Sequence, residues 1–455
     1  DTMTSSVVAI APSRRAIVRQ LLRAHEYWRM KQLPVDLVIV NERAPSYIQD
    51  LQALLETLVR TSQSAAAHEG HGPHGSVFIL RADRMAAPER DVLLAAARVV
   101  LLSRRGTLAE QVIHAQRPDN APVSPQRRRA AAKPLADVPL PRPDLEFSNG
   151  VGGFAADGRE YVTILGEGQW TPAPWINVVA NPAFGFQVSE SGSGYTWSIN
   201  SRENQLTPWS NDPVSDPSGE AIYVRDEESG EVWGPTALPI RSATGAYIIR
   251  HGQGYSRFER VSHGISLELL QFVPLDDPIK VSRLTLTNQS ARARKLSVTA
   301  YVEWVLGVSR SAAAPFVVTE IDSQTGAMLA RNAWNRDFGA RVAFADLGGA
   351  QTAWTGDRAE FFGRNGTPEH PAALERGGRL SGRVGAGLDP CGALQATIEL
   401  PAGGRAEVVF FLGEAATREE AGELIGRYRT ADLAAVLRAV AERWDDVLGT
   451  VQVTT

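Results

Sequence analysis

Short runs in which apolar and polar residues alternate fill the chain from residue 144 to residue 412. In one such run, Ile265, Leu267 and Leu269 are separated by single intervening residues. Turn-forming sequences divide the runs at Asn149-Gly150, Asp157-Gly158, Ser191–Gly194, Ser229-Gly230 and Asn365-Gly366. Alternation with a period of two is typical of strands that bury one face. At roughly 270 residues the segment is much longer than a sandwich of about 100 residues. We therefore predict a mainly β fold, a large antiparallel β-sandwich of two large sheets.

One pair of runs lies on either side of a turn at Asn288–Ala291. Apolar residues alternate on both sides of this turn, namely Val281, Leu284 and Leu286 before it and Leu296, Val298 and Ala300 after it. Two alternating runs joined by a short turn predict a β-hairpin.

Residues 16–115 carry a different pattern and are predicted to form a small α/β unit. Two short apolar runs, Asp36–Val40 and Ser76–Leu80, are predicted to be buried strands. The segments before and after these runs have apolar residues at helical spacing. Pro88 opens a third predicted helix that continues over Glu89–Leu102. We expect two parallel strands joined by a right-handed crossover. Because two strands make a poor sheet alone, we also expect this unit to lean on a neighbour or to lack its first strands.

Residues 116–143 are predicted to be a linker. The basic run Arg127–Lys133 is followed by Pro134, Pro139, Pro141 and Pro143, and proline at this density favours extended chain. A basic run could contact nucleic acid or lipid, but no aromatic residues interleave these charges, which favours a solvated linker.

Residues 413–455 are predicted to be a helical linker. Thr417 and Glu420 have the spacing of a capping box. The apolar stripe of this segment could dock on the sandwich or on whatever follows Thr455. The sequence begins at Asp1 and stops in a strand-like run, Val451–Thr455, so we expect it to be a piece of a longer protein.

Composition excludes several functional classes. The formal net charge of −4 gives no basic signature for nucleic acid. The single cysteine, Cys391, excludes an intramolecular disulfide and a cysteine-based zinc site, and we interpret it as a structural thiol in a turn. No apolar run reaches the roughly 20 residues that a spanning helix needs.

Few motifs indicate chemistry. His68, His71 and His74 could bind a metal, but the intervening glycines and proline prevent a helix that would align them, so we predict no metal site. The acidic pair Asp276-Asp277 lies between prolines and is predicted to be a loop. Neither a dinucleotide fingerprint, a P-loop nor a nucleophile elbow is present, and we assign no catalytic residue.

The segment 170–255 contains many tryptophan and tyrosine residues, together with polar residues that can form hydrogen bonds with sugar hydroxyl groups. Aromatic faces pack on pyranose rings while Asn, Asp and Arg bind hydroxyl groups, which points to a sugar platform. For any one ring, however, packing in the core is the better interpretation. The polar loop Thr207–Pro213 is predicted to be exposed, because burying so many unpaired polar groups costs too much.

An ordered set of motifs gives the chain a family resemblance. They are Phe147–Phe154, Asn181–Glu190, Gly194–Trp197, Ser201–Asn204, Thr207–Pro213, Tyr223–Asp226, Arg250–Tyr255 (Arg-His-Gly-Gln-Gly-Tyr), Gln271–Pro274 and Tyr301–Trp304. The set resembles the phosphorylase-like region of cyclic β-1,2-glucan synthases. That region belongs to glycoside hydrolase family 94, formerly glycosyltransferase family 36, with the cellobiose, chitobiose and β-1,2-oligoglucan phosphorylases. The runs His25–Arg29 and Pro34–Val40 resemble the segment that precedes this region in the synthases.

The resemblance implies an architecture and a set of site residues. Family members have a β-supersandwich, a helical linker and an (α/α)6 barrel that carries the catalytic acid, so this chain resembles the portion before the barrel. The resemblance implies substrate-rim roles for six residues: Trp209, Asn211, Asp212, Arg250, His251 and Tyr255. Gly252 and Gly254 could equally mark a structural turn.

The resemblance also implies an activity for the parent protein, inverting phosphorolysis of a β-linked glucan oligosaccharide. Inorganic phosphate would be the co-substrate, with no other cofactor. The implied partners are the glucan, the absent barrel and a second copy in a homodimer, and the implied place is the cytoplasmic side of the bacterial inner membrane. Two alternatives stay open: a stand-alone carbohydrate-binding or dimerisation module, and a self-contained glycosidase using Glu190, Glu203 or Asp212.

Overall fold

The computed structural model describes residues 5–10, 15–31, 33, 35–42, 50–64, 75–111, 140–242, 245–363, 366–375 and 379–451. The histidine-rich stretch 68–74 and most of the predicted linker lie outside the described residues. The chain divides into two compact units, residues 1–127 and residues 128–455, and each is described by itself.

The first unit is a four-stranded parallel sheet with helices between its strands. Its elements are β1 (Ser5–Ile10), α1 (Arg15–Met30), β2 (Val35–Asn41), α2 (Asp50–Ser64), β3 (Val77–Arg81), α3 (Ala87–Ala96) and β4 (Val99–Leu102). The strand order is β3-β2-β1-β4, with every neighbouring pair parallel. The predicted α/β class is confirmed, but the prediction of two strands was wrong.

The two missed strands have different causes. β1 precedes residue 16, where the predicted unit began. β4 was hidden at the end of the predicted helix Glu89–Leu102, which in fact stops at Ala96 and is followed by an extended Ala97. An apolar run cannot by itself distinguish a buried strand from a helix continuation, so the β-branched pair Val99-Val100 was the better guide.

The second unit is built from three antiparallel sheets. Its strands are β5 (Gly152–Phe154), β6 (Glu160–Leu165), β7 (Ile176–Ala180), β8 (Phe184–Ser189), β9 (Gly194–Ser198), β10 (Glu220–Asp226), β11 (Val232–Trp233), β12 (Tyr247–Gly252), β13 (Tyr255–Ser262), β14 (Ile265–Phe272), β15 (Ile279–Asn288), β16 (Arg294–Glu303), β17 (Val317–Ile321), β18 (Met328–Asn332), β19 (Val342–Asp346), β20 (Ala353–Asp357), β21 (Pro390–Leu400) and β22 (Arg405–Ala415). The ten-stranded sheet has the order β17-β18-β19-β22-β15-β14-β13-β12-β6-β5, the five-stranded sheet β11-β10-β16-β21-β20, and the three-stranded sheet β7-β8-β9. The predicted large β-sandwich is confirmed.

Alternation along the strands places side chains in two separate cores. In β14, Leu267 and Leu269 join the core between the large sheets, where Val224 and Val298 of the five-stranded sheet also lie. Leu270 points to the opposite face and packs in the core beneath the C-terminal helices. The two faces of β14 therefore contribute side chains to two different cores.

The predicted hairpin across Asn288–Ala291 was wrong. β15 pairs with β14 and β22 in the ten-stranded sheet, whereas β16 pairs with β10 and β21 in the five-stranded sheet. The turn crosses the sandwich from one sheet to the other. Asn288 holds this crossing, because its Nδ2 donates to the carbonyl oxygens of Arg292 at 2.7 Å and Leu400 at 3.0 Å.

Two of the short helices that follow β16 pack in a core on one face of the five-stranded sheet, and this core includes the single thiol. The helices of this part are α4 (Arg310–Ala313), α5 (Arg358–Phe362) and α6 (Ala372–Glu375). Cys391 lies in β21 and not in the predicted turn. Its buried thiol donates to the carbonyl oxygen of Thr355 at 3.8 Å, which agrees with a structural role.

Two helices, α7 (Arg418–Thr430) and α8 (Leu433–Gly449), complete the unit. The side chain of Thr417 caps α7 by accepting from the amide of Glu420, as its spacing predicted. The apolar face of the helices packs on the outer face of the ten-stranded sheet, so the stripe docks on the sandwich. Among the described residues, no helix is both long enough and apolar enough to cross a membrane.

Candidate functional site

Three of the predicted site residues lie together where β12 turns into β13. Arg250 is on β12, and its Nε donates to Glu259 at 2.7 Å while its Nη1 donates to Glu160 at 3.0 Å. The Tyr255 hydroxyl donates to the other oxygen of Glu160 at 2.5 Å. Burial, together with this bond to a carboxylate, raises the pKa of Tyr255 well above its usual value. Glu160 therefore joins Arg250 to Tyr255.

His251 is neutral in this arrangement. Burial lowers the pKa of its imidazole to about 4. Its Nε2 lies 3.2 Å from the carbonyl oxygen of Trp175, which can only accept, so Nε2 carries the proton. Nδ1 then accepts from the Ser256 hydroxyl at 3.0 Å. At neutral pH this side chain is a hydrogen-bonded neutral group rather than a cation.

The glycines of the motif allow a close approach of the last helix. Gly254 has a φ of +85°, and a Cβ at this position would lie 2.6 Å from Trp444 Cδ1 and Val440 Cγ1 of α8. An ion pair at 3.1 Å joins Arg159 to Asp445 of the same helix. These contacts support the alternative that the glycines form a structural turn, and they identify what the turn accommodates.

The other three predicted residues belong to a separate exposed loop. Trp209 is 51% exposed, and its ring lies 6.5 Å from that of Tyr195, which in turn lies 5.2 Å from that of Trp197. Asn211 and Asp212 are exposed, as the polar composition predicted, but Thr207 at the start of the predicted exposed loop is buried. Hydrogen bonds from the Ser215 hydroxyl and from backbone amides lower the pKa of Asp212.

The structure does not unite the six predicted residues in one cluster. Asn177 of β7 donates to the carbonyl oxygens of Gly252 at 3.0 Å and Tyr255 at 2.9 Å, so the first group borders the β7 edge of the three-stranded sheet. The Trp209 group borders β9, the opposite edge, which is about 10 Å away at the usual strand spacing. The substrate roles of both groups stay predictions.

Sequence reasoning missed Glu160, and it counted Asn177 among the sugar-binding polar residues of segment 170–255 rather than as a partner of the Arg250 motif. Each is separated from the Arg250 motif by more than 70 residues along the chain. The available signal was a charged residue at the start of a mostly apolar strand, Glu160–Leu165, where an opposite charge on a neighbouring strand would be stabilising.

The carboxylates of the glycosidase alternative have structural partners. Glu190 is buried and accepts from the Trp175 amide at 2.7 Å and from the Thr171 hydroxyl. Glu203 pairs with Arg202 at 3.5 Å. In the part of the chain that the structure describes, no group of three or more His, Cys, Asp or Glu residues could hold a metal ion.

Comparison with known proteins gives a consistent family. The model of the supersandwich domain of glycosyl hydrolase 94 matches residues 159–431. The chain is 40% identical over 449 residues to the cyclic beta-(1,2)-glucan synthase NdvB of Rhizobium meliloti (strain 1021), covering 96% of this chain and 16% of that protein.

Two phosphorylases are more distant relatives. The solabiose phosphorylase of Paenibacillus borealis is 29% identical over 289 residues, covering 60% of this chain and 36% of that protein. The N,N'-diacetylchitobiose phosphorylase of Vibrio proteolyticus is 25% identical over 312 residues, covering 65% and 37%. The chain thus spans much less than half of each of these relatives.

Proposed function

The chain belongs to the glycosyl hydrolase 94 family through its supersandwich domain, and from this we infer that it is the non-catalytic N-terminal portion of a β-1,2-glucan phosphorylase or cyclic β-1,2-glucan synthase. In this role it binds glucan and supports phosphorolysis by a helical barrel domain of the parent protein.

One observation favours the synthase over a free-standing phosphorylase. Similarity to the synthase extends over 96% of the chain, so most of the first α/β unit is included. Similarity to the two phosphorylases extends over only 60% and 65% of the chain. A β-1,2-linked glucan is therefore the substrate that we assign to the parent protein.

The arrangement of the polar groups supports a non-catalytic role. The acids of inverting enzymes must keep a proton available near the scissile bond. Here neighbouring protein donors already engage the carboxylates of Glu160 and Glu190, and burial lowers the pKa of His251 to about 4, so His251 is neutral at pH 7. We place the catalytic acid in the barrel, outside this chain.

The proposed reaction of the parent needs only one protein carboxyl group. Inorganic phosphate attacks the anomeric carbon of the terminal glucose while the acid protonates the departing glycosidic oxygen, releasing α-glucose 1-phosphate. Phosphate takes the place of the base and water that an inverting hydrolase uses. We further propose that the parent is anchored in the bacterial inner membrane with this chain on the cytoplasmic side, and that it forms homodimers.

Two measurements on the purified chain test this function. Linear β-1,2-gluco-oligosaccharides are titrated into the chain by calorimetry, and glucose 1-phosphate is assayed with and without inorganic phosphate. We expect binding, weakened by Trp209→Ala, and no glucose 1-phosphate. Phosphate-dependent release would place the catalytic acid within this chain and contradict the proposal. Absence of binding would contradict the glucan-binding role.

A further inference from the structure

The loop after β18 carries an exposed tryptophan whose ring stacks on a phenylalanine ring. Trp334 is 75% exposed, and its ring packs on that of Phe316 at 5.0 Å with an interplanar angle of 11°. Phe316 is the last residue before β17, the edge strand of the ten-stranded sheet. Exposing a ring this large to water has a free-energy cost that a binding partner would remove.

The loop holds this indole in a fixed position. The side-chain amides of Asn332 and Asn335 donate to the same carbonyl oxygen, that of Leu306, at 2.9 Å and 3.3 Å. Asn332 is buried, and its Oδ1 accepts from the backbone amide of Trp334 at 3.2 Å. Binding of a ligand on Trp334 therefore costs little entropy for ordering the loop.

The open ring face distinguishes Trp334 from another exposed tryptophan. Trp170 is 57% exposed, but the guanidinium of Arg241 lies 3.7 Å from its ring centroid, so the protein itself occupies one ring face. Phe316 covers only one side of Trp334, and the 75% exposure leaves the other side to solvent. Such a face accepts the apolar C–H surface of a pyranose ring.

Polar groups suited to hydroxyl recognition follow directly in the same loop. Arg336 and Asp337 are exposed, and one donates while the other accepts hydrogen bonds. A pyranose ring has an apolar C–H face and hydroxyl groups at its rim, so it can use the indole together with a donor and an acceptor.

The same segment also adjoins the loop of Trp209. Gly307 forms a backbone bridge with Gln205, whose Oε1 accepts from the Trp209 amide at 3.3 Å. Leu306, which holds the Trp334 loop, is the neighbour of Gly307. The Trp334 loop and the Trp209 loop are therefore connected through the backbone at Leu306 and Gly307.

We propose that Trp334, supported by Phe316, is an oligosaccharide-binding subsite that stacks one pyranose ring of a β-linked glucan. This inference rests on the proposed function in taking the same class of ligand, and it adds a contact separate from the predicted rim residues.

Calorimetric titration of the full chain with linear β-1,2-gluco-oligosaccharides tests the subsite. We expect Trp334→Ala to weaken binding roughly tenfold, the size of one lost aromatic contact. Trp334→Phe should retain most of the affinity because it keeps an aromatic face. Phe78→Ala is the control, because it removes an exposed ring from β3 of the first unit, where no sugar contact is proposed, and it should bind like the unmodified chain.

The outcomes separate this inference from the proposed function. If the unmodified chain binds and Trp334→Ala binds equally well, the subsite is wrong while the glucan-binding role stands. If the unmodified chain does not bind, both the glucan-binding role and the subsite are contradicted. If Trp334→Ala instead abolishes self-association in sedimentation experiments without changing sugar affinity, the ring belongs to a protein interface and the inference is overturned.

Discussion

At the scale of single residues, the Arg-His-Gly-Gln-Gly-Tyr motif combines ionic and neutral groups in one turn. Arg250 and Tyr255 share the carboxylate of Glu160, while His251 is buried and neutral. The sequence predicted that these side chains matter, but not that protein partners already engage them. Partners more than 70 residues away along the chain have no local signature.

The buried imidazole predicts a pH dependence of stability. The pKa of His251 is lowered to about 4 in the folded state, against roughly 6.5 in the unfolded chain. As the pH falls, this histidine is therefore protonated in the unfolded chain before it is protonated in the folded chain. The contribution of the neutral His251 to stability is complete above pH 6.5 and is lost as the pH falls toward 4. The difference amounts to about 3 kcal/mol at most.

Urea unfolding of the full chain between about pH 4 and pH 7 measures this effect. We expect the free-energy difference between the unmodified chain and His251→Gln to shrink as the pH falls, because the variant has no imidazole to titrate at this position. A difference that is constant over this range would mean that His251 keeps its ordinary pKa.

At the scale of elements, strand identity was easier to predict than strand pairing. The alternation at residues 265–271 correctly indicated β14. The runs on either side of Asn288 were correctly identified as strands, yet they belong to opposite sheets. Alternation reports which side chains of a strand share a face, but it contains no information about which strand lies beside it.

Helix α8 depends on the glycine turn beneath it. A methyl group on Gly254 would approach Trp444 and Val440 to 2.6 Å, and the φ of +85° adds backbone strain. We expect Gly254→Ala to lower the free energy of unfolding by about 2–4 kcal/mol, through strain and overpacking together.

Gly403→Ala is the matched control for this substitution. Gly403 also has a positive φ, of +68°, but a Cβ there would meet nothing within 4 Å. It should cost only the backbone strain, about 1 kcal/mol. Urea unfolding compares the two variants, and equal losses would show that α8 does not pack against the turn as described.

At the scale of the whole molecule, a buried ion pair joins the two large sheets. Lys280 of β15 lies 2.8 Å from Glu220 of β10, and both side chains are nearly inaccessible. Glu220 also accepts from the hydroxyls of Thr196 and Thr207, each at 2.6 Å. Burial alone would raise the pKa of Glu220, but Lys280 and these hydroxyls hold it below its usual value.

Removing one partner of this pair should destabilise the sandwich more than removing both. We expect Lys280→Met to cost about 3–5 kcal/mol, because it leaves a buried carboxylate without its cation. Lys280→Met combined with Glu220→Gln should cost less than Lys280→Met alone, and therefore less than the sum of the single changes. A double-mutant cycle by urea unfolding checks this, and strictly additive losses would show that the two charges do not interact.

The sequence by itself determined the class of each part of this protein and its family. Periodicity distinguished the α/β unit, the β-sandwich and the terminal helices, since the side-chain period is a local property of the backbone. The ordered motifs were sufficient to identify the family, and the match of the supersandwich domain over residues 159–431 agrees with them.

Only the tertiary structure decided which strands are neighbours, which helix covers which face and which polar groups find each other. Strand β4, the crossing at Asn288, the Glu160 cluster and the stacked pair Phe316–Trp334 were all found in this way. Each depends on contacts between segments far apart in the chain. Their free energies come from burial and hydrogen bonding across sheets, which no short window of sequence records.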